Sequence, residues 1–414
     1  MLPQLSAGCA RARRLEALSS MSSAAVPAEI AVPGGPPGDH PVTLFVRGHV
    51  PLLDGVRGLA VLLLLSHQLV LDVLPDAGAP AAARLLDRLM QPGWIGVQLF
   101  FVLSGFLITG VLLDSKAKGG YFRSFYGRRV LRIFPLYYLL LVVLAFVLPL
   151  LGRVPPLLQA DARAMPLAWI YLSNWTTHVP APIGHCWSLA VEEQFYLVWP
   201  FVVAALSAPR LLRLCFVLAA LAFGFRIGVW TLGLSPEIAY QNTFARMDAL
   251  ALGAAGAVVL RDPAAVERLA PGLRRALMLA AVAVVVAAIF GLVRTGPVTQ
   301  IGGYSLLAIA FALLISVGVI EQAAGGGRIS AALSARPLRL FGKYSYAIYI
   351  IHLPLHIFVS KVLLADVVAY RGANRFVAIQ LAYAIVMTGV LLGLAMLSYH
   401  LFEKHFLKLK RYFN

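Results

Sequence analysis

The 414-residue chain is 60% hydrophobic and only 13% charged, with a mean hydropathy of +0.82. Soluble domains run nearer half apolar and a quarter charged, so this composition excludes a soluble globular protein and places the chain in a membrane. A net charge of +17 would point a soluble chain toward nucleic acid, but here its distribution makes it a topology signal rather than a nucleic-acid footprint.

Residues 1–48 are rich in Ala, Ser, Gly and Pro and end in the turn-prone run PGGPPGDHP. They read as a disordered cytoplasmic tail, with Met21 as an alternative start. No apolar core follows Arg11, Arg13 and Arg14, which argues against a cleaved signal peptide. About ten apolar segments long enough to span a bilayer follow, near 52–74, 93–113, 130–151, 187–207, 211–232, 243–260, 273–293, 302–320, 341–364 and 376–402. Residues 49–405 therefore read as one all-α membrane domain and 406–414 as a basic cytoplasmic tail. With the N-terminus inside, the inward segments hold roughly three times as many Lys and Arg as the outward ones. This bias predicts a multi-pass protein of the cell membrane with both termini in the cytoplasm.

The first span reads LDGVRGLAVLLLLSHQL. Arg57 lies near its cytoplasmic end, and His67 is ten residues further on, roughly 15 Å along a helix. Neutral imidazole accepts a proton near neutral pH, so His67 is the best general-base candidate in the chain. Between spans two and three, FYGRRVLRIFPLYY opens a helix with Arg128, Arg129 and Arg132. Arg129 and Arg132 are three apart and share a side. The cluster serves either as a positive-inside anchor or as a site for the phosphates of a cytoplasmic cofactor, since guanidinium pairs bind phosphate bidentately. No Walker loop or dinucleotide glycine fingerprint accompanies it.

The fourth apolar segment, GHCWSLAVEEQFYLVWPFVVAAL, carries Glu192 and Glu193. Carboxylates at membrane depth are costly and usually face a bundle interior or a watery cavity. Successive helical residues point about 100° apart, so one acid is expected in a functional cavity and the other satisfied by a neighbour. Glu192 is expected at a depth where it could bond a ring nitrogen of His67 and orient it. Further along, Arg246 and Asp248 are two apart and face each other poorly, leaving Arg226 available to pair with Asp248. His352 sits near mid-depth of the ninth span as a second histidine candidate. Three scattered cysteines, Cys9, Cys186 and Cys215, give no disulfide framework or zinc spacing, and no metal is implied.

Six segments in this order, LDGVRGLAVLLLLSH, GWIGVQLFFVLSGFLI, FYGRRVLRIFPLYY, WSLAVEEQFYLVWP, RMDALALG and FGKYSYAIYIIHLPL, resemble the acyltransferase 3 family over about residues 50–405. The resemblance implies an integral membrane enzyme that moves acyl groups, often acetyl from acetyl-CoA, onto hydroxyls of sugars and related acceptors. It implies that Arg57 and His67 match the family's first-span Arg and His, that Arg129 and Arg132 match its cytoplasmic pair, and that Glu192 matches its acid. Glu193 occupies a variable position. The chain resembles the stand-alone type, without an appended hydrolase-like domain. One departure is the spacing: nine residues, Gly58 to Ser66, separate Arg57 from His67, where the family pattern has ten. An i,i+10 pair is offset by about 80° on a helix. Either a local bulge restores the alignment or the two side chains serve different places.

The resulting expectation is an O-acyltransferase. Arg129 and Arg132, with Arg57 and Arg128, would hold the phosphates of acyl-CoA. His67, oriented by Glu192, would deprotonate a hydroxyl of a glycan or similar acceptor, with an acyl-histidine intermediate as the mechanistic rival. A non-enzymatic alternative is a proton-coupled transporter or flippase, with His67, Glu192 and Asp248 as its relay.

Overall fold

A computed structural model describes residues 50–70, 81–150, 165–176, 181–289, 292–364 and 376–413. The expected N-terminal tail lies outside them. The described chain is helical, with no strand. The apolar segments form α1 (Pro51–Gln68), α2 (Ile95–Ser115), α3 (Tyr121–Val142), α4 (Trp187–Ala205), α5 (Ala208–Thr231), α6 (Thr243–Val259), α7 (Pro263–Ile289), α8 (Tyr304–Ala323), α9 (Arg336–Phe358) and α10 (Phe376–Ser398).

Seven of these, including their flanking turns, are long and apolar enough to cross a membrane on length and composition alone. The other three are α1, α4 and α6. They are 18, 19 and 17 residues long and carry Arg57 with His67, Glu192 with Glu193, and Arg246 with Asp248. Their charges have a structural counterpart: these helices bury half or more of their residues, so neighbours rather than lipid surround their polar groups. Twelve of the 17 residues of α6 are buried, whereas the most apolar stretch of α7 is 0% buried.

Close backbone approach assembles this interior. α1 packs most extensively on α9, and α6 on α2 and α5. A Cβ at Gly342 would collide with the Asp54 carbonyl, and one at Gly105 with the Leu250 carbonyl. Small residues at such crossings let helices pack where no hydrophobic drive separates them from lipid. Side-chain caps tie one end of the bundle together. Lys116 donates to the Val203 and Leu206 carbonyls at 2.7 Å, satisfying the end of α4. Arg261 forks onto Asp114 with two bonds of 2.7 Å. Through Phe413, the segment expected as a basic cytoplasmic tail is helical: Lys404–Lys408 and Leu409–Phe413 continue from α10 and pack on α3.

Candidate active site

A cleft of about 850 Å³ opens among α1, α2, α3, α4 and α9. α2, α3, α4 and α9 line it with residues three or four apart, the spacing that puts side chains on one face. α3 contributes Arg129, Arg132 and Ile133; α4 contributes Ser188, Glu192 and Tyr196; α9 contributes Ser345, Tyr346 and Tyr349. Arg57 projects from α1, and Phe100, Phe101 and Ser104 line the α2 side.

Three guanidiniums thus meet at one end of the cleft. Arg57 donates to Asp54 at 2.9 Å, and Arg129 lies over the Tyr196 ring at 4.5 Å. The charges nearest Arg132 include both Arg57 and Arg129. Lys410, from the packed C-terminal turn, joins them: its charged neighbours are Arg132, Arg129, Arg128 and Arg57. Asp54, Glu192 and Glu193 lie among these charges, and the guanidinium forks that face the cleft beside them are suited to an anionic ligand with several oxygens, such as a phosphate. Arg128 is placed differently from the expectation. It lines no part of the cleft, and its Nε donates to the Phe413 carbonyl at 3.1 Å. About 100° of helix separates it from Arg129 and turns it toward the C-terminal segment.

Glu192 accepts a 2.6 Å bond from Ser104 Oγ, which lies 2.8 Å from the Tyr196 hydroxyl. Arg129 and Arg57 are its basic neighbours. Glu193 diverges, as adjacent helical residues must, into a separate recess with Tyr126, Phe134, Tyr171 and the other side of Arg129. Its Oε1 has no hydrogen-bond partner among the described residues, so the expected satisfaction by a neighbour is not met through that atom.

His67 corrects the main geometric expectation, because it does not bond Glu192. Its ring lies beside the Gln91 backbone, and its Nδ1 has no hydrogen-bond partner among the described residues. The ring lines no part of the arginine cleft. α1 runs unbroken from Pro51 to Gln68 with no bulge, so the i,i+10 offset stands. Arg57 and His67 point apart, roughly 15 Å distant along the helix. Glu192 shares the cleft of Arg57 rather than the depth of His67.

The remaining candidates fall outside the cleft. Arg226 donates to Asp248 at 2.8 Å and to Ser305 at 2.6 Å, and Ser305 donates to Asp248 at 2.7 Å. Both charged members are 0% exposed, a buried ion pair. Arg246 takes no part in that pair and is enclosed by aromatic rings. His352 is fully buried, its Nδ1 2.6 Å from the Tyr349 carbonyl and its ring edge-on to His185 at 4.8 Å. It stands one layer behind Tyr349, whose hydroxyl donates to the His185 carbonyl at 2.7 Å and touches Ser188 Oγ. Among the described residues, no three His, Cys, Asp or Glu side chains come together.

Sequence reasoning overlooked Ser104, Ser188, Tyr196, Tyr349 and Lys410. Ser188, Glu192 and Tyr196 repeat every four residues, a polar stripe along an otherwise apolar helix that the sequence displays. Lys410 leaves no such local signal.

The family model described as an acyltransferase domain, that of acyltransferase 3, matches residues 50–400. The chain is 29% identical over 345 residues to the peptidoglycan O-acetyltransferase OatA of Listeria monocytogenes, covering 78% of this chain and 51% of that protein. It is 27% identical over 343 residues to the O-acetyltransferase OatA of Staphylococcus aureus, covering 77% and 52%. The chain thus spans about half the length of these relatives. No solved structure matches it.

Proposed function

Since the chain belongs to the acyltransferase 3 family, we propose that it is a multi-pass membrane O-acetyltransferase that moves an acetyl group from acetyl-CoA to a hydroxyl of an envelope glycan. The observation that carries this reading is the meeting of Arg57, Arg129 and Arg132 in one cleft. Membrane helices need a few basic residues for orientation, and those stay in the interfacial flanks. Three guanidiniums brought to one cavity suit a polyphosphate better than a topology anchor.

In this reading the arginine end faces the cytoplasm, in line with the charge bias, and Lys410 adds a contact to the donor's phosphates. The thioester end extends along the cleft past Glu192 toward Ser188 and Tyr349. Glu192, held by Ser104, orders the guanidiniums and acts as a positioning residue. His67 serves the acceptor from the far end of α1, where its Nδ1, without a partner among the described residues, can take the hydroxyl proton. The acceptor oxygen then attacks the thioester carbonyl, the carbon–sulfur bond breaks, and the thiolate leaves and takes up a proton. A glycan found in peptidoglycan is the acceptor class suggested by the names of the relatives.

The test is turnover by purified protein in proteoliposomes supplied with acetyl-labelled acetyl-CoA and peptidoglycan fragments. Label transferred to the glycan with equimolar release of CoA is the expected result. Glycan crossing the bilayer while the thioester stays intact would replace the enzyme with the transporter alternative.

A further inference from the structure

Behind the Phe101 wall of the arginine cleft, Arg246 presents a feature the donor site does not use. It lies one turn into α6, is 0% exposed, and its Nε, Nη1 and Nη2 have no hydrogen-bond partner among the described residues. Asp248 is already engaged by Arg226 and Ser305. Four rings surround the guanidinium instead: Tyr304 at 4.1 Å, Phe101 at 5.5 Å, Tyr240 at 5.6 Å and Trp187 at 5.8 Å. Ring faces attract a cation, but they leave its in-plane N–H donors without acceptors, which is costly in a buried site.

Two further unpaired groups adjoin the same wall. Gln98 donates its amide to the Tyr304 carbonyl at 2.9 Å, while its Oε1 has no partner among the described residues. Trp94 packs on the Tyr304 ring at 5.4 Å, and its Nε1 is likewise unpaired. Positions 98 and 101 are three apart and share one side of α2, and Trp94 ends the 3-10 turn just before it. Arg294 brings a second guanidinium over Tyr240 at 4.4 Å, paired at 3.3 Å with Glu237.

The unpaired set is complementary to a definite kind of molecule. A guanidinium fork and an indole N–H call for an oxyanion, and the planar fork fits a carboxylate or phosphate. The free Gln98 oxygen calls for a hydroxyl donor, and the rings supply flat apolar walls. We propose that Arg246 anchors the acidic group of the acceptor, a sugar bearing a carboxylate or phosphate. The proposal rests on the acyltransferase reading and names the substrate class for its acceptor side. Phe101 connects the two sites, since its ring both lines the arginine cleft and faces Arg246. An acceptor held there is one side chain away from the donor cleft.

Binding tests this without turnover. Purified protein in lipid nanodiscs is titrated with glucuronic acid, glucose 6-phosphate, neutral glucose and inorganic phosphate, read by calorimetry and by tryptophan fluorescence. At least one acidic sugar should bind about tenfold or more tighter than glucose, as expected for a charged hydrogen-bonded pair. Whichever acid wins identifies the group. Arg246→Met should erase the preference without lowering the melting temperature, because replacing an unpaired buried charge by an apolar side chain costs the fold little. Arg246→Lys should keep part of the preference. Equal binding of acidic and neutral sugars, phosphate binding as tightly as the sugar phosphate, or an unaltered preference in both variants would overturn the proposal. A melting temperature lowered in both variants would make Arg246 a packing residue, which also overturns it. Thioester cleavage from acetyl-CoA is measured in parallel. Its absence alongside acidic-sugar selectivity counts against the acyltransferase reading alone, and its presence without selectivity counts against this proposal alone.

Discussion

Ser104 on α2 donates a 2.6 Å hydrogen bond to Glu192 on α4, joining two helices through one carboxylate at the arginine cleft. The same hydroxyl sits 2.8 Å from the Tyr196 phenol. A charged acceptor held this way is worth more than a neutral bond, and its partners are energetically coupled. Ser104→Ala and Glu192→Gln should each weaken acyl-CoA binding, and a double-mutant cycle should show a coupling of about 0.5–3 kcal/mol. Strict additivity would mean that Ser104 does not hold Glu192 in place.

Donor binding should follow cleft membership rather than position in the sequence motif. Arg129→Ala and Arg132→Ala should each weaken acyl-CoA binding by about 1.5–3 kcal/mol, with the loss shrinking as salt is added. Lys410→Ala should act in the same direction and more mildly, from the rim. Arg128→Ala should act no more strongly than Lys410→Ala, and only by loosening the C-terminal turn that it bonds through Phe413 and that carries Lys410. Calorimetric titration at two ionic strengths separates these, and equal losses for Arg128 and Arg129 would count against the cleft assignment.

This contrast shows what could be read from the chain. Seven of the helices were legible because hydropathy and length alone define a membrane-spanning segment, and α1, α4 and α6 stood out by their charges. The shared side of Arg129 and Arg132, the divergence of Glu192 from Glu193 and the availability of Arg226 for Asp248 all follow from helical periodicity. Relative depth did not follow. A ten-residue step from Arg57 to His67 gives a distance along α1, but not which end meets Glu192 on another helix. Lys410 was out of reach for a different reason. Its place depends on the helical run that continues from α10 to Phe413 and packs Phe413 against Gly127, a contact between residues almost 300 positions apart.

The buried ion pair makes a prediction about stability rather than chemistry. Removing one partner strands the other's charge at zero exposure. Arg226→Met or Asp248→Leu alone should therefore cost about 3–5 kcal/mol, whereas the double replacement should be close to neutral. Denaturant unfolding of the detergent-solubilised protein measures this. Should the double replacement lose as much as the two singles combined, the pair would hold the fold by more than mutual compensation.

The last prediction concerns His67, whose position differs most from expectation. With its ring beside the Gln91 backbone and its Nδ1 unpaired among the described residues, it has the arrangement of a base awaiting a proton, but at the end of α1 away from the donor's phosphates. His67→Gln should slow acetyl transfer by roughly 10²–10⁴-fold while leaving acyl-CoA affinity unchanged, because the side chain touches no part of the arginine cleft. Glu192→Gln should show the opposite split, acting on the donor's KM before kcat. As the two residues share no hydrogen bond, their effects on kcat/KM should multiply, within about 0.3–0.5 kcal/mol of additivity. A His67–Glu192 dyad would instead make the double mutant little worse than His67→Gln alone. Transfer by folded His67→Gln within a few-fold of wild type would remove His67 as the base and direct attention to His352, the buried ring behind Tyr349.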